Sequence, residues 1–459
     1  MKQKTRANLA MGVFLTACLI PSAGMLFLPE EPPAANQTLA QPPALIGEDG
    51  ALNRSVLDEA TDYVADHFAL RQRLITANAA LEAAVFHTSA SDSVVLGRDG
   101  WLFYRETVDD YLHTDPMSRR ELFGAARTLA LLTEYAGSRG ARLAFTVAPN
   151  KASLYPNYLP YVGEPLPGED DIDRLVPLLE EQGVEYIDLF APFRERMQIL
   201  YHATDSHWTS WGAAFAHDTL TEALGVPDRT HWDTSVWEAR SHRGDLYEML
   251  YPTGAMREEE LAPADDFTFL PVRPIRSPED QRIETENPSK SGSLLMFRDS
   301  FGNSLYPFMA EDFGHAVFSR SMPWNMGLLE ETGADTVVIE LVERNLDYLA
   351  DRPPVFPAPE RVLTGQPPQG EAEARVAARE DSGLEGYVRL EGALTGAADG
   401  DTPIYVQLGQ ALYEASPVGA AAEGLPFTLY VPRESALDRI NVLYLLDGQL
   451  LQAGQAAVH

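Results

Sequence analysis

Leu294-Leu295-Met296-Phe297-Arg298-Asp299-Ser300-Phe301-Gly302-Asn303-Ser304 runs four apolar residues into a polar triplet, then into a glycine and the start of a helical pattern. An unbroken apolar run of that length suits a strand covered on both faces, since neither face then meets water. The turn after it predicts a strand-to-helix junction. Such a turn exposes a serine hydroxyl while the N–H groups of the first helical turn converge on it, an arrangement that suits an oxyanion. Taken alone, Asp299 or Ser300 serves as readily as the cap of that helix.

Outward from this stretch, helices alternate with short apolar strands. The pattern predicts helices over Arg119–Arg139, Ile172–Gln182, Trp211–Leu224 and Asn303–Ala310, and strands over Leu143–Ala148, Glu185–Asp188, Ser293–Phe297 and Asp335–Leu341. That order predicts an α/β domain, a mostly parallel sheet with covering helices and its site at the carboxyl ends of the strands. Upstream, Tyr63, Val64, Phe68, Leu70, Leu74 and Ile75 recur at helical spacing within Leu57–Phe86. Val94 to Tyr104 then reads as a hairpin turning on Asp99-Gly100.

Two proline-rich stretches set the boundaries. Residues 29–43 read as an extended spacer, and Pro353, Pro354, Pro357, Pro359, Pro367 and Pro368 mark a linker over 353–371. The α/β domain is therefore expected over 44–352. Beyond the linker, Gly386–Leu390, Ile404–Leu412, Pro426–Val431 and Ile440–Leu446 read as strands, with Asp447-Gly448 as a turn, so 372–459 is expected to be a small β-sandwich.

Of the 459 residues, 45% are hydrophobic and 22% charged, which suits folded domains with real cores. The formal net charge of −33 repels phosphate backbones and excludes a nucleic-acid role. An anionic polysaccharide meets the same field, so binding one requires a local cluster of Arg and Lys. Cys18 is the single cysteine and lies in the N-terminal apolar run, which excludes disulfides, thiol catalysis and cysteine-ligated metals in the folded body. Lys2, Lys4 and Arg6 precede the uncharged stretch Leu9–Leu28, the arrangement of an export signal over 1–28. Roughly 20 residues suffice to span a bilayer, so an uncleaved anchor is expected, ahead of a cleaved signal or of a lipobox reading of Leu15-Thr16-Ala17-Cys18. The body is then expected beyond the inner membrane.

A second chemical cluster is Ala203-Thr204-Asp205-Ser206-His207-Trp208-Thr209-Ser210, placed just before a helix. Asp and His one residue apart in a turn can face the same side, so that the carboxylate fixes the imidazole tautomer and frees the other nitrogen as a base. The plain alternative is a helix cap beside an incidental histidine. Two such clusters in one domain supply a nucleophile, a base and an orienter.

Asp205-Ser206-His207-Trp208, Arg298-Asp299-Ser300-Phe301-Gly302, Ala148-Pro149-Asn150-Lys151 and Gly97-Arg98-Asp99-Gly100-Trp101-Leu102-Phe103-Tyr104 together resemble the AlgX/AlgJ-type SGNH hydrolase-like alginate O-acetyltransferases, over Ala44 to Ala350. That family places Asp-x-His before the serine, and this chain keeps the order. The resemblance implies an SGNH-like domain with Ser300 as nucleophile, His207 as general base and Asp205 as orienter, and a tail that is a carbohydrate-binding module. It also implies an acetyl-serine intermediate and acetylation of a periplasmic exopolysaccharide, alginate first, with acetylated cellulose or another polymer behind it. No diffusible cofactor is implied. The acetyl donor would come from a membrane O-acyltransferase, and the secretion machinery would be a partner. Tyr306, six residues after Ser300, matches a site tyrosine of the family. Arg298 stands where SGNH enzymes have glycine, and it contacts substrate or serves as an ion-pair partner. Lys151 follows a strand end and is placed to meet substrate or an oxyanion. Tyr306, Lys151 and Arg298 are thus the expected substrate-binding residues.

Three rivals remain. His202, Asp205 and His207 have ligand spacing, but no further His or acidic cluster completes a shell, so no metal is expected. An esterase with the same triad differs only in passing the acyl group to water. The third is a catalytically silent polysaccharide-binding scaffold.

Overall fold

Alternate residues of the central strands point to opposite faces, and both faces are covered. The computed structural model describes residues 39–46 and 50–454, except 227–229, 265–266, 364, 380–382, 397–399, 420–423, 436 and 438, together with scattered positions before 39. In β3 (Arg142–Ala148), Leu143, Phe145 and Val147 pack beneath α3 (Arg119–Ser138) and α4 (Asp171–Glu181), whereas Ala144 and Ala148 face α5 (Ser210–Leu224) and α6 (Gly302–Asp312). In β9 (Ser293–Phe297), Leu295 and Phe297 join the first core, and Leu294 and Met296 the second. This two-sided burial is why these strands carry continuous apolar runs.

Upstream, among the described residues, the helices α1 (Val56–His67) and α2 (Arg71–Val85) lead into the hairpin of β1 (Val94–Leu96) and β2 (Leu102–Tyr104). Asp99 and Gly100 turn the hairpin with φ of 54° and 82°, a region open to a glycine and tolerated by an aspartate. The helical spacing within Leu57–Phe86 is present, but Leu70 at φ 65° divides the run, and Leu57, Val64, Leu74, Leu81 and Val85 are exposed. Spacing places residues on one face of a helix; it does not supply a cover for that face.

The main sheet has seven strands in the order β4 (Glu185–Ile187), β3, β11 (Thr336–Val342), β9, β10 (His315–Ser319), β8 (Arg282–Glu286), β7 (Leu270–Pro271). The first five are parallel, and β8 and β7 extend the edge antiparallel. Because β11 lies between β3 and β9, the carboxyl ends of these three strands deliver 149–151, 343–345 and 298–300 to one place. A separate hairpin of β5 (Trp237–His242) and β6 (Glu258–Pro263) stands beside them.

The tail is a nine-stranded sheet, curled so that alternate side chains enclose one core that includes Val376, Leu390, Val406, Leu429 and Val442. Its first strand, Glu360–Arg361, and the start of the strand Gln369–Arg379 fall inside the stretch expected as linker. Val355 and Phe356 of that stretch are buried. Among the described residues no helix is long and apolar enough to cross a membrane, and half of the run Leu9–Leu28 lies outside the described residues.

Arginines of α3 fasten the tail to the α/β domain. Arg120, 6% exposed, donates to the carbonyls of Gly400 (2.9 Å), Thr402 (3.2 Å) and Pro426 (3.2 Å). Glu414 lies buried between Arg127 (2.6 Å) and Arg361 (2.8 Å), and Arg361 also grips Glu134. Arg120→Ala is expected to cost on the order of 2 kcal/mol, because it strands buried carbonyls. Protease cleavage within 353–371 should quicken while small-ester turnover persists, and an unchanged cleavage rate would show that Arg120 does not hold the module.

Candidate active site

Asp299 builds the serine turn. Its Oδ1 accepts the Phe301 N–H at 2.8 Å and its Oδ2 the Val342 N–H at 2.7 Å, while its own N–H donates to Glu340 at 3.1 Å. The ends of β9 and β11 are thereby clamped together, and the Ser300 carbonyl receives the Asn303 N–H at 3.1 Å as α6 begins. Burial, reinforced by the Asp299 charge, pushes the Glu340 carboxyl well above the usual range. Gly302 makes room for Arg298, because a Cβ there would lie 2.6 Å from the Arg298 Cβ. Arg298 is 3% exposed and donates to Asn303 Oδ1 (2.6 Å) and the Pro278 carbonyl (2.7 Å).

His207 arrives on the connection before α5, whose N-cap Thr209 accepts the Gly212 N–H. The Trp208 indole donates to the Phe301 carbonyl (3.1 Å) and Ser304 Oγ (2.8 Å), tying this connection to the serine turn. His207 Nε2 lies 2.9 Å from Ser300 Oγ, and Nδ1 lies 2.7 Å from Asp205 Oδ1. An ionised carboxylate only accepts, so Nδ1 carries the proton and the Nε2 lone pair faces the serine hydroxyl.

Asp205 receives four donors. Oδ1 accepts His207 Nδ1–H and the His207 backbone N–H (2.9 Å); Oδ2 accepts His242 Nε2–H (2.9 Å) and the Asp245 N–H (3.0 Å). Burial works to raise its pKa, but the bonds from His207 and His242 prevail and hold it well below the usual range. Burial likewise works to lower His207, and Asp205 reverses the sign, leaving the imidazole above its ordinary value. Asp245 sits 3.6 Å from His207 Nδ1, holds Ser206 through Oδ1 and Oδ2, and is raised by burial and by the Asp205 charge.

The structure thus brings Ser300, His207 and Asp205 into contact from two distant segments. Tyr306, Lys151 and Arg298, expected to meet substrate, are instead in the interior, at 7%, 2% and 3% exposure. Lys151 Nζ donates to the carbonyls of His202 (3.1 Å), Ala203 (3.2 Å) and Asp205 (2.5 Å), bracing the turn that carries His207. Burial pulls it down to about 8 against the opposing charges of Asp205, Asp245 and Glu258. Tyr306 packs edge-on against Phe318 beneath the Arg298 guanidinium. Sequence reasoning missed His242 and Asp245, which stand 35 and 38 residues after His207 with no spacing to mark them.

Among the described residues, three groups of side chains hold ligand-type atoms within 4.8 Å of one another: His202, His242 and Glu260; His217, His231 and Asp312; and Asp205, His207 and Asp245. The first pair of rings is stacked at 3.9 Å and 19°, so their lone pairs run side by side rather than converge. In the second, His217 already bonds Asp218 (3.0 Å) and Asp312 (2.9 Å), and Lys290 takes the other Asp312 oxygen (3.1 Å). The third is the hydrogen-bonded Asp205–His207 pair with Asp245 beside it.

A cavity of about 460 Å³ is lined by Glu106, Asp109, Asp110, Glu343 and Arg344 among others, and is strongly acidic. The Arg344 guanidinium lies 5.5 Å from the Tyr104 ring and 5.6 Å from the Phe301 ring. Another cavity, of about 470 Å³, is lined by Ser210, Arg240, Phe267, Asn303, Ser304 and Phe308.

Residues 94–290 match the family model described as an SGNH hydrolase-like domain, acetyltransferase AlgX. The chain is 30% identical over 186 residues to a probable alginate O-acetylase AlgJ of Pseudomonas aeruginosa, covering 38% of this chain and 44% of that protein. It is 26% identical over 235 residues to the protein of the same description from Pseudomonas putida, covering 49% and 58%. The chain therefore spans about half the length of these curated relatives. Among solved structures, the O-acetyltransferase domain of Pseudomonas putida AlgJ aligns with a TM-score of 0.36 at 22% identity, covering 56% of this chain and 92% of that one.

Proposed function

We propose, for a chain that carries an SGNH hydrolase-like domain of the AlgX/AlgJ alginate O-acetyltransferase type, that it transfers acetyl groups through Ser300 to hydroxyls of an exopolysaccharide. The observation that carries this reading is the continuous contact from Ser300 Oγ through His207 to Asp205, with the His207 lone pair turned toward the hydroxyl. In the first half-reaction Ser300 Oγ attacks the acetyl carbonyl of the donor, His207 Nε2 takes the hydroxyl proton, and the departing group receives it. In the second, a sugar hydroxyl attacks acetyl-Ser300 and gives its proton to the same nitrogen; the new ester leaves and the serine is restored. Asp205 stays ionised throughout and stabilises the imidazolium formed in each step.

The setting is the periplasm, with an alginate-type acceptor and with acetyl groups supplied by a membrane O-acyltransferase alongside the secretion machinery. The tail retains the polymer near the site. Ser300, His207 and Asp205 carry the chemistry, while Lys151 and Arg298 hold the two turns that present them.

Incubation with an activated acetyl ester is expected to add one acetyl group to Ser300, read by intact and peptide mass. Ser300→Ala should abolish the label, and His207→Ala should slow its formation by a factor on the order of 10². An oligosaccharide should then discharge the label as acetylated sugar. Release of free acetate regardless of sugar would make the protein an esterase, and labelling of Ser300→Ala on another residue at the wild-type rate would end the serine mechanism.

A further inference from the structure

His242 closes β5, directly opposite Glu258 of β6, and its ring reaches the oxygen of Asp205 that His207 does not use. Because a carboxylate accepts only, His242 Nε2 donates, and the ring's tautomer is fixed by the contact. The ring is held from behind. His202, 3% exposed, stacks on it at 3.9 Å and 19°, and His202 Nε2 lies 3.5 Å from Glu260 Oε1. Glu260 Oε2 faces His242 Nδ1 at 3.8 Å, and Glu260 is itself fixed by the Ser210 N–H (3.1 Å) and hydroxyl (2.7 Å) at the start of α5. Glu258 accepts the N–H groups of Ala203 (2.9 Å) and Thr204 (3.1 Å), locking the same turn.

We infer that His242 is a positioning residue of the triad: it anchors the second oxygen of Asp205, so that the carboxylate is oriented between two imidazoles and only one of its oxygens serves His207. This inference rests on the serine reading above and extends it from three residues to a chain that ends outside the triad's own segments. Two consequences follow from electrostatics. The donor holds the Asp205 plane in line with His207 Nδ1, and it draws negative charge away from the oxygen facing His207. Without it Oδ2 keeps the Asp245 N–H as its donor, the carboxylate is held less firmly, and the charge left on Oδ1 strengthens the pull on the His207 proton. The charged groups facing His242 are Asp205 ahead of it, Glu260 at its other nitrogen and the stacked His202, with Glu258 and Asp245 behind these partners.

The test compares His242→Leu, which removes the donor, with His242→Gln, which keeps a side-chain N–H. With a small acetyl ester, His242→Leu should lose about tenfold in kcat with KM nearly unchanged, less than the roughly 10² or more of lost acid–base assistance, because His207 itself stays in place. The acid limb of kcat/KM should move to higher pH, because His207 binds its proton more tightly. His242→Gln should recover most of both effects. The titration of the His207 Nδ1 proton, followed by nuclear magnetic resonance, reads the same rise in pKa without turnover. Wild-type kcat and pH profile in His242→Leu would overturn the inference, as would equal losses in Leu and Gln variants that share a lowered melting temperature. Failure of the serine reading looks different: the wild type itself would show no turnover and no acetyl-Ser300.

Discussion

Asp205→Asn is expected to lower kcat on a small acetyl ester by a factor on the order of 10³ to 10⁴, with little change in KM, the size of effect known when a triad carboxylate loses its charge but not its shape. The reason is the count of donors. His207 Nδ1–H, the His207 and Asp245 backbone N–H groups and His242 Nε2–H all point at this one side chain. An asparagine has one acceptor oxygen and an NH2 group, so one pair of donors meets another donor. The cheapest escape is for His207 to move its proton to Nε2, which leaves no lone pair for the Ser300 hydroxyl. The rate of Ser300 acetylation by mass spectrometry measures the loss directly. Asp245 supplies the alternative outcome, since its carboxylate is 3.6 Å from the same nitrogen. A loss below tenfold would mean that Asp245 takes over, and adding Asp245→Asn would then have to produce the missing decades.

The α/β domain was legible because its strands obey a simple rule. Leu294–Phe297 and Leu143–Ala148 are buried on both faces, so their composition alone marks them. The strand Gln369–Arg379 hid for the opposite reason. Its alternation is between small Ala372 and Ala374 inside and charged Glu371, Glu373 and Arg375 outside, a composition that favours helix, and only tertiary pairing overrides it. The hairpin of β5 and β6 hid likewise, because the apolar content of Glu258-Glu259-Glu260 is nil. That omission also concealed His242 and Glu260. Ser300 and His207 were visible as parts of local motifs, whereas the residues that hold Asp205 from its far side arrive from a strand whose pairing no local pattern announces. Lys151 was visible but misplaced: an exposed loop is the usual home of a lysine, and only the convergence of three carbonyls explains its burial.

Lys151→Met is therefore expected to damage fold and activity together. Methionine matches the length of the stem, which passes the rings of Trp101 and Phe103 at 5.5 and 5.2 Å from the ammonium, so packing is largely retained. What goes is the donor to His202, Ala203 and Asp205; the Ala203 carbonyl keeps the Leu102 N–H at 2.8 Å, while the buried carbonyls of His202 and Asp205 lose the ammonium. Each stranded carbonyl costs about 1 kcal/mol or more, and the sum is moderated because the wild type also bears the cost of burying an ammonium. A net loss of about 2 kcal/mol by denaturant unfolding is the expected result. The same carbonyls fix the backbone on which Asp205 and His207 ride, and a shift of about 1 Å in reacting groups costs on the order of 10² in rate. Ester turnover by the folded variant should fall by that factor, with His207 still present and the acid limb of the pH profile little moved. Lys151→Arg should not rescue, because a planar fork cannot point at three carbonyls arranged around one nitrogen. Full turnover in a folded Lys151→Met protein would return Lys151 to an incidental role and show that the turn carrying His207 is held without it, by Glu258, Asp245 and Trp208.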